Sequence, residues 1–120
     1  MKNFLSIFCL AISLIIFSTG CTPKEMGSKN VQITHVKTYA KCDACKYFLE
    51  NSLPSKKGIV FAELDLHRET LMIKYDQTLV STTEIKQLIS DKGFWADDLK
   101  PDVVLEKQLP SCCVKPKETR

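Results

Sequence analysis

The sequence has few of the residues that common catalytic and nucleotide-binding sites require. Its 120 residues include four glycines, two histidines and one tryptophan. The glycines form no Gly-rich loop that could hold a phosphate, and no Ser/His/Asp pattern or pair of acidic residues marks a catalytic pocket. His35 and His67 have no second ligand at a spacing suited to a metal ion. We therefore expect no enzymatic activity.

An excess of charge of one sign is also missing. Seventeen basic residues stand against fourteen acidic ones, which gives a formal net charge of +3. Proteins that bind nucleic acids or acidic polymers concentrate many basic residues on one surface. The near balance of this chain therefore gives no reason to expect a nucleic-acid partner.

The longest apolar run lies at the start of the chain. A single lysine precedes residues 4–17, and small residues then lead to Cys21. A basic start, an apolar run too short to span a bilayer and small residues before a cleavage site are typical of a secretory signal. The ending resembles the lipobox of bacterial lipoproteins. The resemblance implies a signal peptide at residues 1–20, a lipid on Cys21, and a tether at residues 21–30.

The predicted location follows from that anchor. The lipid would hold the protein on a membrane of the cell envelope, facing the periplasm or the cell surface. The alternative is an ordinary signal peptide in which Cys21 is a chance residue.

Cysteine is comparatively abundant, with six in the chain. Cys9 would leave with the signal peptide and Cys21 would carry the lipid. In an oxidising compartment, close cysteine pairs form disulfides or serve metal or redox chemistry. The four cysteines that remain are two such pairs: Cys42, Cys45, Cys112 and Cys113.

Residues 31–100 are predicted to form one folded domain. In the second of its strand patterns, strict alternation predicts that Val60 and Ala62 face the core together. The first strand leads toward the Cys42 loop. Four stretches have the pattern of a strand: residues 31–39, 59–66, 71–75 and 94–99.

Two helices are predicted between these strands. The first covers residues 44–53, directly after Cys42. The second opens at a capping box formed by Ser81 and Glu84 and ends before Gly93. The order β-α-β-β-α-β predicts an α+β fold, a ferredoxin-like βαββαβ sandwich with two helices on one four-stranded antiparallel sheet.

Residues 101–120 are predicted to be a flexible tail that contains Cys112 and Cys113. A fourth strand would start this tail at the end of the sheet far from Cys42, but its residues could extend about 40 Å and bring the pair back. We expect the pair to supply a third or fourth thiolate to the CxxC site, or to form a second loading site. The alternative is a disordered tail whose cysteines pair on oxidation.

The stretch 36–96 resembles the heavy-metal-associated domain family. The resemblance rests on CDAC at the opening of the first helix, GIVFAELDL and TLMIKYD as the next strands, and STTEIKQLISDKGF as the second helix and its exit. The family includes copper chaperones, amino-terminal modules of copper-transporting ATPases and the periplasmic mercury-binding protein. The resemblance implies that Cys42 and Cys45 bind the metal and that Phe94 packs beside it.

The chemistry of the CxxC motif predicts the same site. Unpaired N–H groups at the start of a helix, together with Lys41 and Lys46, favour the thiolate forms of Cys42 and Cys45. Two thiolates suit one soft ion, Cu(I) or Hg(II) before Zn(II) or Cd(II), which need further ligands.

The expected function is binding of that ion and its transfer or sequestration. The ion would pass by ligand exchange to a metal-transport or metal-chaperone protein with thiol ligands, and we expect the protein to act as a monomer. A thiol-disulfide redox protein is the alternative, since it also places a CxxC at a helix start. A structural disulfide between Cys42 and Cys45 ranks third, because so short a loop removes little entropy from the unfolded chain.

Overall fold

The computed structural model of the protein describes residues 30–117. The predicted signal peptide, Cys21 and most of the tether lie outside the described residues. The helices and strands are β1 (Val31–Lys37), α1 (Asp43–Ser52), β2 (Ile59–Asp65), β3 (Thr70–Asp76), α2 (Thr82–Ser90) and α3 (Val103–Gln108).

The sheet is antiparallel, with β3 between β1 and β2. Helices α1 and α2 contribute to the same core as the sheet, so they cover one of its faces. This arrangement confirms the predicted ferredoxin-like α+β class. The fully buried core side chains that these elements share include Val36, Leu49, Leu71, Ile73, Ile85 and Ile89.

The start of α2 confirms the predicted capping box. The backbone N–H of Ser81 donates to Glu84 Oε2 at 2.8 Å, and the N–H of Glu84 donates to Ser81 Oγ at 3.2 Å. These bonds satisfy two donors that the helix cannot pair internally. The helix therefore begins where its apolar residues can meet the sheet.

The prediction for Val60 is wrong. Its side chain is 56% exposed, while Ile59 and Ala62 are buried. The register of β2 against β3 shifts between Ile59 and Phe61. At such a bulge two residues oppose one, so the alternation of inward and outward side chains restarts. A sequence pattern shows the alternation but not the extra residue.

Residues 94–99 do not form the predicted fourth strand, and within residues 30–117 the sheet has three strands. Ala96 and Leu99 instead bridge each other. Asp97, between them, has φ of 53°, a left-handed conformation that cannot continue an extended strand. The chain therefore turns back here and does not run along β1.

Where a fourth strand would have paired with β1 along its length, Asp97 forms hydrogen bonds with one residue of β1, Lys37. Its N–H donates to the carbonyl of Lys37, and its Oδ1 accepts from the N–H of Lys37, both at 2.8 Å. Its Oδ2 lies 2.7 Å from Lys86 Nζ. Partial burial opposes ionisation, but the hydrogen bonds from Lys86 and Lys37 outweigh it and hold the pKa of Asp97 below its usual value.

Residues 101–120 were expected to be loosely held, but as far as residue 117 they contain α3 and a short 3-10 turn. The side chain of Asp102 caps α3 by accepting from the N–H of Val104 at 2.7 Å. The helix packs close to the end of α2. A Cβ on Gly93 would lie 2.9 Å from the carbonyl oxygen of Leu105, so the absence of a side chain at Gly93 permits this close approach. Within the described residues, no helix has both the length and the apolar character needed to cross a membrane.

We predict that Asp97→Asn destabilises the fold at pH 7 by about 1 kcal/mol, since the carboxylate loses its charge but is partly screened by solvent. The folded-state pKa of Asp97 is lowered, so its contribution is present above the ordinary pKa and lost as pH falls through the lowered value. The stability difference from the wild type should therefore shrink below about pH 4.

Urea unfolding at pH 7 and at pH 3 measures this difference. Asp98→Asn is the matched control, because Asp98 is exposed next to Asp97 and should not change stability. Equal stability of Asp97→Asn and Asp98→Asn at pH 7 would contradict the role given to the Asp97 carboxylate.

Candidate metal centre

The first helix places the two CxxC sulfurs together. Cys42 is the N-cap of α1, with an extended backbone and no side-chain capping bond, and Cys45 lies in the first turn. Their Sγ atoms are 3.1 Å apart. The unpaired N–H groups of this first turn and the positive end of the helix dipole stabilise negative charge, so they favour thiolates here.

The tail brings the second pair of cysteines to the same point. Ser111–Cys113 form a 3-10 turn, in which the N–H of Cys113 donates to the carbonyl of Pro110 at 2.8 Å. In an extended strand, adjacent side chains would point to opposite sides. The turn removes that restriction. The N–H of Lys41 then donates to the carbonyl of Cys112 at 2.9 Å, which fixes the tail to the loop before α1.

All four sulfurs converge within 4.8 Å of one another. The structure contains disulfides from Cys42 to Cys112 and from Cys45 to Cys113, with Cα–Cα distances of 5.9 and 6.0 Å. Cys42 Sγ also lies 3.8 Å from Cys113 Sγ. Both disulfides join the motif to the tail, and neither lies within the motif. On reduction, the four thiols would form one cluster of soft ligands.

This cluster sits at the boundary between core and solvent. Cys45 and Cys113 are 1% and 3% exposed, whereas Cys42 and Cys112 are only partly buried at the edge of the core. Phe94 belongs to the same core, where its ring stacks on Phe48 at a centroid distance of 6.0 Å. One side of the site is therefore apolar and the other is open to an approaching partner.

Neither flanking lysine leaves its ammonium group free for the sulfurs. Lys41 Nζ lies 3.1 Å from Glu69 Oε1. Lys46 Nζ lies 2.6 Å from Glu50 Oε1 and donates to the carbonyl of Leu64 at 2.7 Å. Their charges are partly compensated by these carboxylates. The direct contribution of Lys41 is the backbone hydrogen bond that holds the tail.

Sequence reasoning missed the side chains that dock the tail. Lys115 Nζ lies 4.6 Å from the ring centroid of Trp95 and 5.0 Å from that of Tyr39. The two rings meet edge to face at 6.1 Å, and Trp95 Nε1 donates to Glu106 Oε1 at 3.0 Å. Cation–π contacts between distant segments leave no spacing pattern in a sequence, so no local signal indicates them.

No family model matches the chain. A copper chaperone, CopZ of Staphylococcus haemolyticus, is 34% identical over 53 residues, which cover 44% of this chain and 78% of CopZ. CopZ of Staphylococcus aureus strain MRSA252 is 30% identical over a stretch of the same length.

Solved structures show the same fold. A copper-binding domain from HMA7, a P-type ATPase, is 29% identical, with a TM-score of 0.51 over 56% of this chain and 92% of that domain. Oxidised MerP from Ralstonia metallidurans CH34 is 13% identical, with a TM-score of 0.52 over 56% of this chain and 94% of MerP. The MerP likeness concerns the fold alone. The chain belongs to the heavy-metal-associated domain family, with copper chaperones among its relatives.

Proposed function

We propose that the reduced protein binds one soft metal ion, Cu(I) before Hg(II), between the thiolates of Cys42 and Cys45. The observation that carries this proposal is the convergence of both sulfurs at the start of α1, 3.1 Å apart. Membership of a family that includes copper chaperones supports copper as the cargo. Soft thiolates in a low-coordination site also favour Cu(I) over harder ions.

Transfer would proceed by ligand exchange. A thiolate of the partner adds to the two-coordinate ion and gives a three-coordinate intermediate, from which Cys42 or Cys45 then leaves. The oxidation state of the ion does not change, and no acid or base has to act. The direction is set by the difference in affinity between the two proteins.

The surface beside the motif suits a protein partner. Tyr47 and Phe48, two and three residues after Cys45, are 73% and 45% exposed. Exposed aromatic side chains next to a functional site are typical anchors at protein interfaces. We propose that the partner is a metal-transport or metal-chaperone protein with its own thiol pair, and the ATPase domain of similar structure supports a transporter.

One observation favours the second candidate, a thiol-disulfide redox protein. All four cysteines are disulfide-bonded in the structure, and a metal cannot bind until they are reduced. A CxxC redox protein, however, cycles between a dithiol and a disulfide within the motif. Here the bonds run from the motif to the tail, so metal binding remains the first proposal.

We propose a lipid anchor at Cys21 and a location in the cell envelope. Strand β1 begins at Val31, and its other end at Lys37 leads into the CxxC loop. Seven strand residues separate these ends by roughly 20 Å. A tether attached before Val31 would therefore leave the sulfurs on the side of the domain away from the membrane.

We predict that the full chain, reduced and anaerobic in detergent, binds Cu(I) one to one. In Cys42→Ser/Cys45→Ser, the affinity should fall at least about 1000-fold, because the two thiolates at the helix start are lost. Titration against a chromophoric Cu(I) chelator, with native mass spectrometry for stoichiometry, measures both quantities.

Ser111→Ala serves as the control, because its exposed side chain lies beside the cluster and contains no sulfur. Circular dichroism would verify that each variant is folded. Undiminished Cu(I) binding in the double variant would rule out the CxxC as the copper site. Efficient reduction of a disulfide substrate by the wild type would then favour the redox candidate.

We predict that Cys21→Ser releases the protein from the membrane, because the substitution removes the thiol of Cys21, to which the lipid is expected to be attached. Membrane fractionation and mass spectrometry of the mature amino terminus measure the change, with Thr22→Ser as the control. Retention of Cys21→Ser on the membrane would contradict a lipid anchor at this residue.

A further inference from the structure

We propose that Cys112 and Cys113 complete a four-thiolate site with Cys42 and Cys45, and that this site takes a divalent d10 ion, Zn(II) or Cd(II). The proposal rests on the proposed function for the role of Cys42 and Cys45. It adds a second metal class and a role for the tail. The docked tail determines which class of ion the protein holds.

The four sulfurs are clustered closely enough to surround one ion. A tetrahedron with Zn–S bonds of about 2.3 Å has sulfurs about 3.8 Å apart. Cys42 Sγ and Cys113 Sγ are 3.8 Å apart, and all four sulfurs lie within 4.8 Å of one another. Cys42 Sγ and Cys45 Sγ, at 3.1 Å, and the two disulfide-bonded pairs are closer than in such a tetrahedron and would have to move apart. Once the two disulfides are reduced, rotation about Cα–Cβ bonds is sufficient to separate the paired sulfurs.

Contacts that involve no sulfur hold the tail in this position. The N–H of Lys41 bonds to the carbonyl of Cys112, and Lys115 lies over the rings of Trp95 and Tyr39. The tail is therefore placed by packing and hydrogen bonds that remain after the disulfides are reduced. These contacts already order the tail before a metal binds, so metal binding costs little further conformational entropy.

The number of thiolates separates the two classes of ion. Zn(II) and Cd(II) require a filled shell, and four cysteine sulfurs make a closed tetrahedral site. Cu(I) and Hg(II) are well served by two thiolates. With the tail docked and reduced, the protein offers four ligands. With the tail displaced, it offers only Cys42 and Cys45, which an incoming partner thiol can reach.

The surroundings of the site support a negatively charged cluster. A divalent ion with four thiolates has a formal charge of −2, which is costly to bury without compensation. Cys42 and Cys112 remain partly exposed, and Cys42 is the N-cap of α1, whose first-turn N–H groups have no side-chain cap. Helix dipole and solvent together reduce the cost of holding that charge.

The test is a Cd(II) titration of the full reduced chain in detergent, followed by sulfur-to-cadmium charge-transfer absorption and by chelator competition. For Cys112→Ser/Cys113→Ser, we expect the Cd(II) affinity to fall roughly 100-fold or more and the absorption per ion to fall by about half. The Cu(I) affinity of that variant should change less than about tenfold, because Cys42 and Cys45, the pair at the helix start that is proposed to bind Cu(I), both remain. Unchanged Cd(II) affinity and absorption would overturn the proposal.

Lys115→Met tests the tail with every thiol intact. It removes the cation that contacts both Trp95 and Tyr39, while Lys100 Nζ stays 5.8 Å from the Trp95 centroid, and should weaken Cd(II) binding by about three- to tenfold. Lys117→Met, an exposed change two residues on, should have no effect. Equal Cd(II) affinity in Lys115→Met and Lys117→Met would contradict the role of tail docking.

The two proposals fail in different ways. If Cys42→Ser/Cys45→Ser leaves Cu(I) binding intact, the proposed function fails, whatever the tail variants do. If that variant loses Cu(I) while Cys112→Ser/Cys113→Ser keeps full Cd(II) affinity, only the four-thiolate site fails.

Discussion

The paired hydrogen bonds between Asp97 and Lys37 determine where the second half of the site can be. They hold the chain at the end of β1 that leads into the CxxC loop, and the left-handed turn at Asp97 prevents a fourth strand from carrying the chain away. The tail therefore begins close to the first pair of cysteines. A short helix and one 3-10 turn are then enough to bring Cys112 and Cys113 to the sulfurs of the motif.

This geometry changes what a heavy-metal-associated domain can do. The CxxC at the start of α1 is suited to a loosely coordinated ion that a partner can remove. The tail places two more sulfurs against it and covers part of its surface. We therefore propose two forms of the protein: a covered one with four ligands or two disulfides, and an open one with two thiols. Reduction and displacement of the tail would govern the passage from one to the other.

The sequence was sufficient for the features that depend on neighbouring residues. The capping box at Ser81 and Glu84, the CxxC at a helix start and the order of strands and helices all leave local patterns. The fold confirms the capping box, the position of the CxxC and the order β-α-β-β-α, but not the fourth strand. The β-bulge that exposes Val60 and the left-handed turn at Asp97 depend on pairing with other strands. No local pattern distinguishes them from regular strand residues.

The position of the tail could not be predicted from local sequence patterns, for a related reason. A six-residue helix is not stable alone, so α3 exists because Gly93 lets it approach and because Glu106 and Lys115 contact Trp95. These contacts join segments that are distant in sequence. Prolines and polar residues alone suggested a loosely held chain, and only the tertiary structure brings the two cysteine pairs together.

X-ray absorption at the copper edge of the reduced, Cu(I)-loaded full chain tests the central claim most directly. We predict a first shell made only of sulfur, since Cys42 and Cys45 would bind the ion and, within the described residues, the metal-binding side chains clustered with them are Cys112 and Cys113. A first shell that contains nitrogen or oxygen donors in place of these sulfurs would contradict it.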